Sequence, residues 1–464
     1  MQFVPNGPEI PNEFVQAHED GRVVFFCGAG ISYPAGLRGF KWLLDQIYAG
    51  CGTKPDTLED AAIRRNQFDT ALELLERRYP GHRHAVRKQL AQALQPAVTT
   101  RDATVLHEAL LQLGRDKDGR LRLVTTNFDH LFDTAADRLG VTFNAFGAPM
   151  LPIPKNSRWN GLVYLHGKLP EANDESELNR LVVTSGDFGL AYLTERWASR
   201  FLSELFRNFV VCFVGYSIND PVIRYMMDAL AADRRQGEAT RDAWVFAPSM
   251  TDDGVDEWAA KGVKPILYNV GDGGRDHSAL YETLTAWGQT YVAGETGKEA
   301  FVTKHALAQP KDSTRQDNFV GRMLWALSDK TGLPAKLFAD FEPVPPLEWL
   351  LEAFSEPRYD RHALTGFGVP TDSDLDPKAA YSFIWRPPAL KHAAAMALVS
   401  SSRGAIGSLD KVMAQIGRWL SRHLNDPRLV VWVAQHGGSR HPEFAWQIER
   451  ELERLHELRR DNNI

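Results

Sequence analysis

Cysteine is scarce in this sequence: its 464 residues include only three, Cys27, Cys51 and Cys212. No two of them form a CxxC pair, which excludes a disulfide framework and a zinc ribbon built from two cysteine pairs. Cys27 and Cys212 lie inside apolar runs, and such cysteines are usually buried, reduced thiols. We therefore expect a cytoplasmic protein without a bound metal.

Long apolar runs and an excess of positive charge are also missing. Residues 1–20 contain prolines and acids instead of the basic start and apolar core of a signal peptide, and no later run is long enough to span a membrane. The 53 Lys and Arg residues are outnumbered by 59 Asp and Glu residues, so the formal net charge is -6. A protein that mainly binds nucleic acid would be basic. We therefore expect neither a membrane nor a direct nucleic-acid partner.

Hydrophobic residues make up 44% of the chain, enough for the cores of two or three domains. In the first part, short apolar runs alternate with helical patterns, and several runs lack the polar alternation of a half-exposed strand. This predicts an α/β fold with a doubly wound, Rossmann-like, mainly parallel sheet and a helical insertion over Gly36–Asp118. The predicted strands are Val23–Cys27, Leu121–Thr125, Leu162–Leu165, Leu181–Thr184, Phe209–Val214, Trp244–Ala247 and Pro265–Tyr268.

The alternation stops near residue 295, which predicts a domain boundary. We predict a first domain over 1–295, a polar linker over 296–318 and a mainly α-helical C-terminal region over 319–464. Trp and Leu recur there at helical spacing, as in helices that pack together, and no catalytic constellation is present. The helical patterns cover Phe319–Leu327, Pro346–Phe354, Ala389–Ser400, Ser408–Leu424, Arg428–Ala434 and Pro442–Arg459.

The first motif with chemical meaning, Gly28-Ala29-Gly30-Ile31-Ser32, directly follows the first predicted strand. Its glycines allow a sharp turn and a close approach to a pyrophosphate, which N–H groups at the next helix start would bind. Two glycines also occur in such turns for purely steric reasons. The third glycine of the ordinary dinucleotide fingerprint is missing, which disfavours a plain dehydrogenase.

The second and third motifs place polar side chains at strand ends. Thr126, Asn127 and Asp129 follow one strand and would reach the sheet edge where a ligand is expected; an N-capping turn is the alternative. His166 follows another strand and precedes Gly167. A histidine there can face a cleft, titrate near neutral pH and act as a general base, although a lone histidine is more often structural.

The fourth motif consists of Gly215, Tyr216, Ser217 and Asp220, after the predicted strand Phe209–Val214. Gly215 permits close backbone approach, while Ser217 and Asp220 would cap the next helix or contact a ribose. Each motif is ambiguous by itself. Together they share one feature, since each lies at the carboxyl end of a predicted strand.

This ordered set of a GAG-x-S loop, a T-x-N-x-D segment, an HG pair and a later G-x-S turn resembles the sirtuin superfamily over roughly Val23–Trp287. The resemblance implies that Asn127 orients the nicotinamide ribose and the attacking water, and that His166 is the general base. It implies that Asp129 shapes the nicotinamide pocket or holds the loop. The residues that it assigns to NAD+ binding are Gly28, Ala29, Gly30, Ser32, Thr126, Asp129, Gly215, Tyr216, Ser217 and Asp220.

The sequence departs from protein-deacylating sirtuins in two places. The interval Lys168–Thr184 lacks the cysteines of their zinc ribbon, and Ile31–Trp42 reads ISYPAGLRGFKW where they carry an AGIPDFR stretch. This form resembles the bacterial defence-associated sirtuins, which typically cleave NAD+ during phage infection. The resemblance implies an NAD+ hydrolase that releases nicotinamide and ADP-ribose through an oxocarbenium-like state, with a cyclised product as the alternative.

The same resemblance implies a role in antiphage defence by abortive infection. It also implies a homo-oligomer, such as a tetramer, and a C-terminal region that senses a phage protein or binds a partner defence protein. Two other classes stay open: a protein deacylase or ADP-ribosyl transferase, and a non-catalytic sensor of NAD+ or ADP-ribose. The missing cysteines disfavour the deacylase, and the presence of both Asn127 and His166 disfavours the sensor.

Overall fold

The chain forms two compact units in a computed structural model. The sheet unit comprises Gly7–Glu9 and Phe14–Gln289, and the helical unit comprises Met1–Asn6, Ile10–Glu13 and Thr290–Ile464. The predicted domain bounds, 1–295, 296–318 and 319–464, stay predictions. The structure describes residues 1–80, 82–96, 100–155, 158–171, 174–216, 226, 241–249, 252–271, 276–314, 319–329, 331–354, 408–435 and 442–461.

A parallel sheet of seven strands forms the core of the sheet unit, in the order β3-β4-β2-β1-β5-β6-β7. Every pairing between neighbouring strands is parallel, which confirms the predicted α/β class. The central strands are buried along their whole length because helices cover both faces of the sheet. The strands are β1 Val23–Cys27, β2 Arg122–Thr125, β3 Ala145–Gly147, β4 Gly161–Tyr164, β5 Val210–Val214, β6 Ala243–Pro248 and β7 Val263–Tyr268.

Strand β1 is the point at which the order of the strands reverses. The chain passes from β1 through β2 to β4 on one side, and β5, β6 and β7 follow on the other side. In open parallel sheets, ligands bind in the crevice outside the carboxyl ends of the strands at such a point. The loops after β1, β2, β4 and β5 therefore surround the expected ligand site.

The predicted insertion between β1 and β2 is helical. Its helix Thr57–Arg64 starts at a capping box, in which Asp56 accepts the N–H of Glu59 at 2.9 Å and Glu59 accepts the N–H of Asp56 at 3.0 Å. Ile47, Leu72 and Leu90 form part of its buried core. The described α-helices before β7, including those of the insertion, are Asn12–Glu19, Phe40–Gly50, Thr57–Arg64, Phe68–Arg78, His82–Ala93, Val105–Leu113, Leu131–Leu139, Glu175–Leu178, Ser185–Phe188, Trp197–Asn208 and Asp252–Ala260. This part of the chain also has 3-10 helices at Ala29–Ala35 and Arg101–Thr104 and a π-helix at Gly189–Thr194.

Two strand predictions differ from the structure. Leu181–Thr184 is not a strand but a buried irregular segment, because its N–H groups have other partners. Val182 donates to the carbonyl of His166 at 2.9 Å, and the next two residues donate to the carboxylate of Asp187 at 3.0 Å. The edge strand β3 is missing from the prediction, since Ala145–Gly147 has only three residues and no apolar run.

The described part of the helical unit is mainly α-helical, as predicted. Two buried indoles fix its core, since Trp349 Nε1 donates to the carbonyl of Ala306 at 3.0 Å and Trp419 Nε1 to that of Pro345 at 2.9 Å. The predicted helix Ala389–Ser400 lies outside the described residues. Within the described ranges, no helix is long and apolar enough to cross a membrane. The described helices after β7 are Ser278–His305, which is interrupted at Gly294, Phe319–Leu327, Leu333–Asp340, Ser408–Ser421, Pro427–Gln435 and Pro442–Asp461, with a 3-10 helix at Pro310–Asp312 and a π-helix at Trp349–Phe354.

Candidate active site

Two glycine-containing loops meet at the carboxyl edge of the sheet, one after β1 and one after β5. Gly30 donates its N–H to the carbonyl of Gly215 at 2.9 Å, and Gly28 donates to that of Val214 at 2.9 Å. A Cβ atom on Gly30 would lie 2.7 Å from the Cα of Gly215. Gly215 itself has a φ of 76°, in the left-handed region that favours glycine. The close packing of the two loops therefore requires glycine at both positions.

Tyr216 joins these loops to the end of β2. Its hydroxyl donates to the carbonyl of Cys27 at 3.2 Å and lies 2.7 Å from Thr126 Oγ1. Because the Tyr216 hydrogen is used by Cys27, Thr126 is the donor in the second contact. The tyrosine ring also fills the space beside Gly28, where a Cβ atom would lie 2.7 Å from two ring carbons. Tyr216 and Thr126, both predicted to bind NAD+, are thus hydrogen-bonded to each other.

Asn127 is held by a hydrogen-bonded network at the end of β2. Its Nδ2 donates to Ser32 Oγ at 3.1 Å and to the carbonyl of Gly28 at 3.2 Å. Ser32 Oγ donates in turn to Asp129 Oδ2 at 3.0 Å. Since acceptors within the protein occupy both amide hydrogens of Asn127, its Oδ1 is the atom that can accept a hydrogen bond from a ligand.

Asp129 and His107 complete this network on the other side of Ser32. The second oxygen of Asp129 accepts the N–H of Leu131 at 3.1 Å. Burial raises the pKa of Asp129, although the hydrogen bonds from Leu131 and Ser32 lower it. Nε2 of His107 lies 3.5 Å from Ser32 Oγ, and burial lowers the pKa of this imidazole to about 3. These contacts fit the loop-holding role predicted for Asp129.

His166 follows β4 and is 2% exposed. Its Nε2 lies 2.9 Å from the hydroxyl of Tyr192, and its ring packs at 87° against Phe188 with ring centroids 5.1 Å apart. Burial lowers the pKa of His166 to about 3. The expectation that this histidine titrates near neutral pH is therefore wrong, because the protein excludes the water that would stabilise the imidazolium. The imidazole is neutral at physiological pH, as a proton acceptor must be.

Asn127 and His166 line the same cavity, of about 120 Å³. A second cavity of about 400 Å³ lies beside the loops after β1 and β5. The two cavities share Ala29 and Gly39 in their linings. Other residues that line the smaller cavity are Ser32, Arg38, Asp69, Thr126, Asp129, Val182 and Phe188. Other residues that line the larger cavity are Gly30, Tyr33, Gly215, Tyr216, Trp258, Tyr268, His277 and Tyr281.

A buried arginine anchors the segment 178–188, which contributes Val182 and Phe188 to the smaller cavity. Arg87 is 0% exposed and donates from Nη1 to two backbone carbonyls of this segment, at 2.9 and 2.6 Å. Its Nε donates to Glu76 Oε1 at 2.8 Å, and its Nη2 to the carboxylate of Asp187. One guanidinium thus joins two helices of the insertion to a wall of the cavity.

The structure therefore brings ten of the twelve predicted site residues to one edge of the sheet. Ser217 and Asp220 lie outside the described residues. Sequence reasoning missed Tyr192 and Arg87. Tyr192 carries no signal in its spacing from His166, whereas Arg87 occupies the apolar face of its helix beside Val86 and Leu90, a position at which arginine is unusual.

Comparison with known proteins identifies a domain that contains part of this site. Residues 121–266 match the family profile described as a SIR2-like domain. The chain is also similar to the uncharacterized protein y4cA of Sinorhizobium fredii, with 30% identity over 344 residues, or 72% of this chain. The chain spans only 28% of the length of that relative. SIR2-like domains generally occur in NAD+-dependent enzymes. The chain carries a SIR2-like domain over residues 121–266, which includes Asn127 and His166 and supports a place in the sirtuin superfamily.

Proposed function

We propose that this protein is an NAD+ glycohydrolase, which cleaves NAD+ into nicotinamide and ADP-ribose. The observation that carries the proposal is the shared lining of one cavity by Asn127 and His166. One of these residues offers a fixed carbonyl oxygen and the other a neutral imidazole. The neighbouring cavity, which shares Ala29 and Gly39 with the first, would hold the adenosine half of the same ligand.

The reaction breaks the bond between C1′ of the ribose and the ring nitrogen of nicotinamide. The electron pair of that bond stays with nicotinamide, which leaves as a neutral molecule, so the reaction needs no general acid. Water then adds to the oxocarbenium-like C1′, as in glycoside hydrolysis. In this scheme Asn127 Oδ1 accepts a hydrogen bond from the water or the ribose, and His166 accepts the proton that the water loses.

The two phosphates need cations or N–H donors at the border of the two cavities. Arg38 lines the smaller cavity with an exposed guanidinium. Ala29 begins a 3-10 helix, so its N–H has no acceptor within that helix. We assign both groups to the pyrophosphate, because guanidinium and backbone N–H groups are common phosphate partners.

We further propose that the activity serves antiphage defence in the cytoplasm, in a homo-oligomer. The sequence Ile31–Trp42 supports this proposal through its likeness to defence-associated sirtuins, and the three buried free thiols fit a reducing compartment. The helical unit would sense a phage component or a partner defence protein. This role accounts for a large helical unit that lacks the catalytic motifs.

The test is NAD+ consumption by the purified protein, with separation of the products by chromatography. Asn127→Ala and His166→Ala should abolish cleavage. Two control substitutions should not: Asn208→Ala, which removes a hydrogen bond to the carbonyl of Glu204, and His456→Ala at an exposed position. Chromatography also separates ADP-ribose from its cyclised form.

A trigger requirement would make the isolated protein silent, so the same variants are also compared in phage-infected cells. The proposal expects NAD+ to fall in cells with the parent protein and with both controls, but not with Asn127→Ala. Stable NAD+ both in the purified assay and in infected cells would refute the hydrolase.

A further inference from the structure

Tyr192 is the hydrogen-bond partner of the proposed general base, and the sequence motifs do not include it. It lies in the π-helix Gly189–Thr194, with its hydroxyl 2.9 Å from Nε2 of His166. Both side chains are buried, at 6% and 2% exposure. Single π-helical turns occur frequently at functional sites, where they shift a side chain out of the α-helical register. Among the described residues, the imidazole of His166 makes no other hydrogen bond.

The direction of this hydrogen bond decides which nitrogen of His166 can accept a proton. If the Tyr192 hydroxyl donates to Nε2, Nδ1 carries the hydrogen and can only donate. If Nε2–H donates to the Tyr192 oxygen, Nδ1 keeps its lone pair and can act as a base. A neutral imidazole has one donor and one acceptor nitrogen, and the partner of one fixes the state of the other.

We propose that Tyr192 is a positioning residue, which accepts the Nε2–H of His166 and so presents Nδ1 as the proton acceptor for NAD+ cleavage. This inference rests on the proposed function. During the reaction the attacking water bonds to C1′ through its oxygen and releases one proton to Nδ1. The resulting imidazolium keeps its Nε2–H on Tyr192 and then returns the Nδ1 proton to solvent.

The surroundings of His166 make this partner important. The other titratable groups in the cavity lining are Arg38, Asp69 and Asp129. Burial lowers the pKa of His166, because its imidazolium lacks the stabilisation that water would give. A hydrogen bond from a charged donor is stronger than one from a neutral donor. The Tyr192 oxygen therefore stabilises the protonated ring more than the neutral ring, which makes His166 a better base.

The kinetic test compares Tyr192→Phe with the parent protein. The variant keeps the aromatic ring and loses only the hydroxyl, so we expect kcat to fall about 10- to 100-fold, the factor for one hydrogen bond to a charged group. KM should stay within about twofold, because the hydroxyl does not contact the ligand in this scheme. Tyr79→Phe, which removes a hydroxyl bonded to the carbonyl of Cys51 at 3.0 Å, is the matched control and should leave kcat unchanged. An unchanged kcat in Tyr192→Phe would overturn the inference.

A second measurement does not depend on activity. Nitrogen-15 NMR of histidine-labelled protein reports the tautomer of each ring, and His166→Gln identifies the signal of His166. We expect the Nε2–H form in the parent and a mixture of both tautomers in Tyr192→Phe. The Nδ1–H form in the parent would overturn the role of Tyr192. A parent protein that never cleaves NAD+ would refute the proposed function instead, and the NMR spectrum would still decide which tautomer Tyr192 holds.

Discussion

Replacement of Arg87 by methionine is the sharpest test of what holds the cavity wall in place. Methionine fills a similar volume but removes every hydrogen bond of the guanidinium. Glu76 and Asp187 then stay buried, at 6% exposure each, without their main cation. Two backbone carbonyls of the segment 178–188 lose their donors as well. We expect this variant to be strongly destabilised.

The magnitude follows from the partners that remain. Breaking a buried ion pair by removing one side typically costs about 3–5 kcal/mol, since the other charge stays uncompensated. Arg83 lies 2.6 Å from Asp187 and 3.7 Å from Glu76 and takes over part of the compensation. Its own side chain is 37% exposed, so water screens its charge. We therefore expect a loss near the lower end of that range, about 3 kcal/mol.

The loss should also depend on pH. In the parent protein, burial would raise the pKa of Asp187. The charge of Arg87, the N–H groups of Thr184 and Val183 and the charge of Arg83 together outweigh burial and hold that pKa below its ordinary value. Such a group contributes stability above its unfolded pKa, and the contribution disappears as the pH falls through the folded pKa. The difference between parent and Arg87→Met should therefore be largest at neutral pH. It should shrink as the pH falls toward the lowered folded pKa of Asp187, because a protonated carboxyl needs no cation.

Urea unfolding followed by circular dichroism measures this difference, and hydrogen exchange at Val183 and Thr184 reports whether the wall opens locally. Arg77→Met is the control, because Arg77 has 72% of its side chain exposed and pairs with Glu73 on the surface. Such a surface pair contributes at most about 1 kcal/mol. Equal losses in the two variants, or unchanged exchange in Arg87→Met, would refute the reasoning.

Two further predictions concern other buried titratable groups. Burial lowers the pKa of His18 to about 4 and of His107 and His166 to about 3, so below pH 6.5 the unfolded chain binds protons that the folded chain excludes. Each of these three histidines should lower the free energy of unfolding by about 2 kcal/mol between pH 7 and pH 5. Urea unfolding at both pH values measures this change, and an equal free energy of unfolding at the two pH values would contradict the prediction. In the helical unit, Lys298 Nζ lies 2.8 Å from the largely buried Asp329, so Lys298→Met should cost about 3 kcal/mol in the same assay. Replacement of an exposed lysine by methionine should hardly change the free energy of unfolding. An equally small loss in Lys298→Met would contradict the prediction.

Apolar runs and helical spacing in the sequence allowed much of the fold to be predicted. Val23–Cys27 and Val210–Val214 are continuous apolar runs because both faces of the central strands are covered. The same pattern misled the prediction at Leu181–Thr184, which is equally buried but bonds to a side chain and a loop. The strand Ala145–Gly147 left no signal, since an exposed edge strand of three residues buries too little.

The site was predictable only where a residue follows a strand. Asn127 and His166 each follow a buried strand, so their meeting in one cavity follows from the shared edge of a parallel sheet. Contacts between distant segments depend on the tertiary path instead. Tyr192 reaches His166 from the π-helix Gly189–Thr194. Ser32 forms hydrogen bonds with Asn127 and Asp129, which are far from it in the sequence. No local sequence pattern indicates either contact.

The sharing of Ala29 and Gly39 by the two cavities also bears on inhibitor design. Two fragments, one for each cavity, can be joined past these shared residues by a short linker. The second fragment then binds at an effective concentration in the millimolar range, so avidity can exceed either separate affinity by about 10²–10⁴. Weak fragments found separately for each cavity are therefore useful starting points, provided that the linker is long enough to pass Ala29 and no longer than the span requires.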